Sequence, residues 1–289
     1  MLSKLFKYDF KALSRILWPA MAAVAGASLI ASICFIFSSR TVNNANATGL
    51  AQFLAAMLAV LMVLAIIAAC FIVFFIICAH FYRNLMTDEG YLTFTLPVKT
   101  SEILWSKLLS AMTWTLISIV VIGLCVLMFV GLSCAGNGNG RELITDIYNG
   151  LHQIFDMFRS KSGLLVFEMI IMGLAAMAFS ILHIYLALVI GGVVSQKHKV
   201  LAGIGFYFVI SIVVSVITAI AQYFLGGNLV RGINGMGVIL NAQEGAQALN
   251  TLVSAAQPYY WFSFTFTLAM DVCCFLLSKY FLEKKLNLE

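Results

Sequence analysis

Few residues in this chain are placed to do chemistry, and they lie far apart. Asp88 and Glu89 stand side by side in the one long polar interruption, roughly residues 80–108, HFYRNLMTDEGYLTFTLPVKTSEILWSKL. Asp271 lies alone within an apolar run, and Asp9 falls on the apolar face of an otherwise amphipathic segment. Neighbouring acids with Tyr91 and Phe94 close by suit docking into a groove on another protein. Acid–base catalysis would instead need converging acids or a Ser/His pair, and nothing marks one. A solvated loop with ordinary capping residues is the plain alternative for the interruption.

Several chemistries lack their motifs. There is no GxxxxGK[ST] phosphate loop, so the chain has no such route to binding ATP. No metal-ligand cluster is visible. His80, His152, His183 and His198 are widely separated, and each reads as an interfacial or hydrogen-bonded histidine. The 7 cysteines show no paired ligand spacing, which points to neither zinc nor a disulfide framework. Small buried hydrophobes is the reading for them.

The elements that must position these residues are membrane helices. The 289-residue chain is 62% hydrophobic and 10% charged, with mean hydropathy +1.01. Soluble domains are about half apolar and about a quarter charged. Much of the surface therefore faces lipid. Three prolines favour unbroken helices, and the short alternating segments of a β-barrel are absent. Basic residues are scattered at helix ends, which argues against a nucleic-acid partner.

Residues 2–17 predict an amphipathic helix. Leu2, Leu5, Phe6, Phe10, Leu13, Ile16 and Leu17 share one face, while Lys4, Lys7, Lys11 and Arg15 share the other. That pattern lies in the headgroup plane, basic side toward anionic lipid. Asp9 is its exception. Either it snorkels past its neighbours, or the face rests partly on protein and Asp9 meets a base there. Trp18-Pro19 predicts an interfacial aromatic and a break. The organisation expected is thus an interfacial helix over 1–18, then a six-span domain over 19–289.

Six runs can each cross about 30 Å of hydrocarbon, near 19–37, 51–81, 103–133, 163–194, 200–225 and 258–279. The first is rich in small residues from Ala22 to Ala27, which lets helices approach closely. With both termini cytosolic, only Arg40, Arg141, Arg159, Lys161 and Arg231 fall outside, leaving the other twelve of 17 basic residues inside. Residues 135–162 show Leu143, Ile147, Leu151, Ile154 and Phe158 at helical spacing, an amphipathic helix on the outer surface. Residues 226–257 are too polar to span and are expected to cap the bundle or dip into it. The basic turn 195–199 reads as a plain cytosolic connection.

Within the interruption, Thr87 precedes Asp88 and Glu89, a capping hydroxyl followed by acids in a positive first turn. Pro97 ends what forms there. Thr100 and Glu102 restart a helix that becomes the third span. The result is a compact projection near residues 83–102, held by two stiff helices, able to transmit a push along both spans. Asp271 in the sixth span must face protein or a water-filled cavity. Two readings stand for it: a translocation-pathway residue, or a hydrogen-bonded acid that locks helix packing.

A basic amphipathic amino-terminal helix, six spans with both ends inside, and TDEGYLTFTLPV...ILWSKLL between spans two and three together resemble the ABC-2 type permeases. Those are the membrane subunits of bacterial ATP-binding-cassette exporters. The resemblance covers nearly the whole chain, and DEGYLTFTLPV looks like permeases of Gram-positive bacteria. It implies an all-α membrane protein whose amino-terminal helix is an elbow helix. It implies a coupling helix at 87–97, with Thr87, Asp88, Glu89, Tyr91 and Phe94 meeting the ATPase. It implies short outer helices between spans five and six that lid the pathway. It also implies a permease dimer in the plasma membrane above two ATPase subunits, which would hold ATP and Mg. The outer helix near 141–160 departs from the pattern by lengthening the loop between spans three and four.

The expected function is therefore a permease subunit, itself without enzymatic activity, exporting a hydrophobic or amphipathic peptide, lipid-like or drug-like cargo. An ion-coupled secondary transporter would want several internal acids and internal repeats, and the chain has essentially one acid and no convincing repeat. A non-transporting membrane scaffold is the third class.

Overall fold

The computed structural model describes residues 2–43, 49–87, 90, 95, 98–136, 140–159, 163–195, 198–239 and 245–284. Every regular element among them is a helix. These are α1 (Leu2–Asn43), α2 (Gly49–Met86), α3 (Thr100–Gly136), α4 (Gly140–Arg159), α5 (Gly163–Val194), α6 (Lys199–Ile239) and α7 (Gly245–Lys284). Six stretches are long and apolar enough to cross a membrane: Leu2–Ile36, Val63–Met86, Thr100–Leu132, Val166–Val194, Lys199–Ile220 and Tyr260–Lys284. Helices suit this setting because hydrocarbon offers no partner for a backbone N–H or C=O, and a helix satisfies both internally.

Two expectations about boundaries give way. The helix does not break at Trp18-Pro19; α1 runs unbroken through Pro19. Proline forfeits one backbone hydrogen bond, and the packing of α1 along its length holds the helix across that gap. The segment between the fifth and sixth spans does not form separate short helices. Residues 226–239 continue α6, and 245–257 open α7. Extending an existing helix adds one hydrogen bond per residue, whereas a new short helix must be nucleated.

The chain divides into two compact units: residues 1–85 with 95–170, and residues 86–94 with 171–289. In the first unit α1 packs along α3. Asp9 meets Lys107, Phe10 stacks on Trp114 at 4.9 Å, and Phe35 lies 5.6 Å from Phe129. Residue numbers rise together on both helices, so they run parallel over roughly 40 Å at 1.5 Å per residue. The amino end and the start of α3 therefore lie on one side. Between helices in lipid the hydrophobic effect supplies little drive, so small side chains and hydrogen bonds must hold the seam. Ser28 and Ser32 on α1, and Ser106, Ser110, Ala111 and Ser118 on α3, are buried. Most of these hydroxyls donate to their own helix, as Ser32 does to Ser28 O at 2.6 Å and Ser118 to Trp114 O at 2.7 Å. Trp114 Nε1 crosses the seam to Phe10 O at 3.2 Å.

The apolar face foreseen for residues 2–17 is thus shared. Leu13 and Leu17 are buried, while Lys4, Lys7, Lys11 and Arg15 point outward. An amphipathic helix is present over 140–159 as α4, with Ile144, Ile147, Tyr148, Leu151 and Phe155 exposed.

In the second unit α5 is the most enclosed helix. Its end approaches the start of α6 so closely that a Cβ built on Gly191 would lie 2.3 Å from Gly203 N and 2.5 Å from its Cα. Only glycine fits at that crossing. His183 of α5 stacks on Tyr207 of α6 at 4.8 Å, and α6 packs on α7.

Candidate functional site

The polar interruption is described at its margins. Asp88, Glu89, Tyr91 and Phe94 lie outside the described residues. At Thr87 the carbonyl accepts the Gly90 N–H at 2.7 Å, closing a turn where the sequence predicts a cap. The Lys99 carbonyl accepts from Glu102 N at 2.8 Å and opens α3. Within the second unit, Lys199 Nζ donates to Met86 O at 3.3 Å. The base at the head of α6 thereby caps the last carbonyls of α2, where a positive charge is favourable.

A buried polar cluster sits among the ends of the helices that flank this interruption. Asp9 of α1 accepts a hydrogen bond from Ser106 at 2.6 Å and pairs with Lys107, both on α3. His80, in the last two turns of α2, places Nε2 3.5 Å from Asp9 Oδ1 and 3.2 Å from Asn84 Nδ2. One carboxylate thus joins its own helix to two others. Of the two readings for Asp9, the structure selects protein contact with a base.

The physical reason lies in cost. A buried carboxylate without partners is expensive, and a buried pair repays its desolvation only when further hydrogen bonds complete it. Ser106 supplies one here. The gain of such a cluster is geometric definition more than stability: Asp9 has one place to be, and α1 is registered against α3 by it.

Asp271 behaves differently. Lying near the middle of the span Tyr260–Lys284, it is half-buried. Its Oδ1 is buried and makes no hydrogen bond among the described residues. Next to it along α7, Met270 lines a cavity of about 370 Å³ enclosed by α5, α6 and α7. Phe179, Val214, Phe262 and Phe266 form its apolar walls. Thr218 and Thr267 line it as well, each hydroxyl proton being given to its own helix at Val214 O and Ser263 O. Among the described residues no charged side chain lines it.

Residues 45–158 match the family model described as ABC-2 family transporter protein. The matched stretch takes in α2, the interruption, α3 and nearly all of α4. This stretch is similar to the ABC-2 family transporter proteins. With six apolar helices of spanning length among the described residues, that similarity supports a membrane permease of the ABC type. Searches of curated proteins and of solved structures found no match.

The two described residues among those expected from sequence, Thr87 and Asp271, lie on different helices. Thr87 lies at the end of α2, and Asp271 lies within α7, in a cavity-forming group of helices. Helix α4, read as a departure from the family pattern, lies almost wholly inside the matched stretch. Sequence reasoning missed His80, Asn84, Ser106 and Lys107 as partners in one cluster. Its signal was Asp9 itself, an acid on an apolar face that had to find a base; nothing in the linear order says which. The cavity walls carry no sequence signal at all, since Phe and Met in a span look alike whether they face lipid or a cavity.

Proposed function

We propose that this ABC-2 permease is the transport subunit of an ATP-binding-cassette exporter, moved by a separate ATPase through the interruption between α2 and α3. The observation that carries the reading is the family match, which spans both helices and the interruption they hold. The cluster at Asp9 supports it, because it ties α1 to the two helices that would receive the push. Asp88 and Glu89, with Thr87, Tyr91 and Phe94, form the surface offered to the ATPase. ATP and Mg belong to that partner, and the permease itself hydrolyses nothing.

The working unit is a pair of permease protomers above two ATPase subunits in the plasma membrane of a Gram-positive cell. The amino end and the interruption face the cytosol, in keeping with the excess of Lys and Arg there. Cargo is hydrophobic or amphipathic, entering from the membrane and leaving outward as the protomers rock apart.

The test is co-purification. A tagged chain extracted in mild detergent brings down an ATP-binding-cassette ATPase, and the complex hydrolyses ATP in lipid nanodiscs. Recovery of the chain with no nucleotide-binding partner, under conditions that keep membrane complexes intact, overturns the proposal.

A further inference from the structure

The cavity among α5, α6 and α7 ends at Met270, the residue before Asp271. Of the α7 residues that line the cavity, Tyr260, Ser263, Phe266, Thr267 and Met270 follow helical spacing along one face, with Phe262 at its edge. Asp271 directly follows Met270, the last lining residue, and lies about one turn beyond Thr267, so it stands at the margin of that face just past the cavity's inner end. The cavity occupies the half of the span nearest Tyr260, and Asp271 stands near mid-depth.

Mid-depth is where a charge in transit is most costly. It is also where this chain places an acid with no ion pair and no hydrogen bond among its described residues. A carboxyl kept there without a base of its own favours a ligand that brings the positive charge. The apolar walls fix the rest of that ligand's chemistry. Phe179, Phe262 and Phe266 offer ring faces and edges, Val214 and Met270 adaptable apolar surface. The volume of about 370 Å³ is within the range of small-molecule pockets, about 300–1,000 Å³.

We propose that this cavity binds a cationic amphiphile, its apolar body between the phenylalanines and its amine against Asp271. The proposal rests on the transport reading and narrows the cargo class from hydrophobic or amphipathic to amphipathic and positively charged. Asp271 is then a specificity-determining residue and the aromatic walls a general apolar seat.

Photoreactive dodecylamine and the matching neutral dodecanol, each titrated into the full chain in zwitterionic nanodiscs, test this directly. Labelled peptides are mapped by mass spectrometry, with unlabelled probe as competitor. The amine labels residues 260–270 saturably, at a concentration about tenfold or more below that of the alcohol, the worth of a charge-assisted hydrogen bond. Asp271→Asn brings the two probes together, Asp271→Glu keeps them apart, and Phe266→Ala weakens both. Labelling that does not saturate, that maps elsewhere, or that stays amine-selective in Asp271→Asn overturns the proposal. Because no ATPase enters this assay, a failed co-purification would sink the export reading and leave the binding result standing.

Discussion

Asp9 of α1 is paired with Lys107 of α3 where both side chains are nearly closed to solvent, at 12% and 5% exposure. Removing one partner leaves the other charge buried and uncompensated, which costs about 3–5 kcal/mol. Asp9→Asn and Lys107→Met should each lower the melting temperature of the detergent-solubilised chain. The exchange of both, Asp9→Lys with Lys107→Asp, should recover part of the loss. Equal stability in all four proteins would remove the pair from the packing of α1 on α3.

Reversing the charge of Asp88 and Glu89 together should leave the protein in the membrane and separate ATP hydrolysis from transport. The check is a paired measurement, hydrolysis and cargo movement in the same proteoliposomes. Transport that survives the double reversal counts heavily against a coupling role for these acids.

Gly191 has no room for a side chain, since a Cβ would meet the backbone of Gly203. Gly191→Ala must force α5 and α6 apart, at a cost of about 1–3 kcal/mol for an overpacked contact. Thermal unfolding of the purified chain should show a clear loss. Gly205→Ala serves as the control, because nothing lies within 4 Å of a Cβ there.

The exposed side of α4 should lie in the lipid headgroup region. Ile144, Leu151 and Phe155 are exposed on a helix with charged residues elsewhere around it, the pattern of an interfacial helix. An environment-sensitive fluorophore on Phe155→Cys should shift to the blue in nanodiscs and be quenched by lipid-dissolved quenchers. A fully aqueous spectrum there would show that the stripe meets something other than lipid.

Much of the fold could be read in the sequence because a membrane span is a length of apolar residues, and length survives translation into structure. The six spans and the amphipathic helix α4 follow from that and from helical periodicity. The continuity of α1 through Pro19 could not be read, because local preference breaks a helix there and the α3 seam, a tertiary contact, holds it. The run of α6 on to Ile239 and the early start of α7 at Gly245 were equally hidden, since glycines and polar residues argue locally against helix. At the site, the oddity of Asp9 was legible and its partners were not. Lys107 counts as a cytosolic-side base in the charge tally, yet it is buried against Asp9, 98 residues away along the chain. The cavity beside Asp271 depends on three helices meeting, which no single stretch encodes.

The most direct test of the proposed coupling is a photoreactive amino acid placed at Glu89 in living cells, with a second at Ile147 on α4 for comparison. The Glu89 position should cross-link to an ATP-binding-cassette ATPase, and the Ile147 position should not. An ATPase adduct at Ile147 but none at Glu89, or labelling of the Glu89 site by a membrane-impermeant reagent added outside the cell, would contradict it.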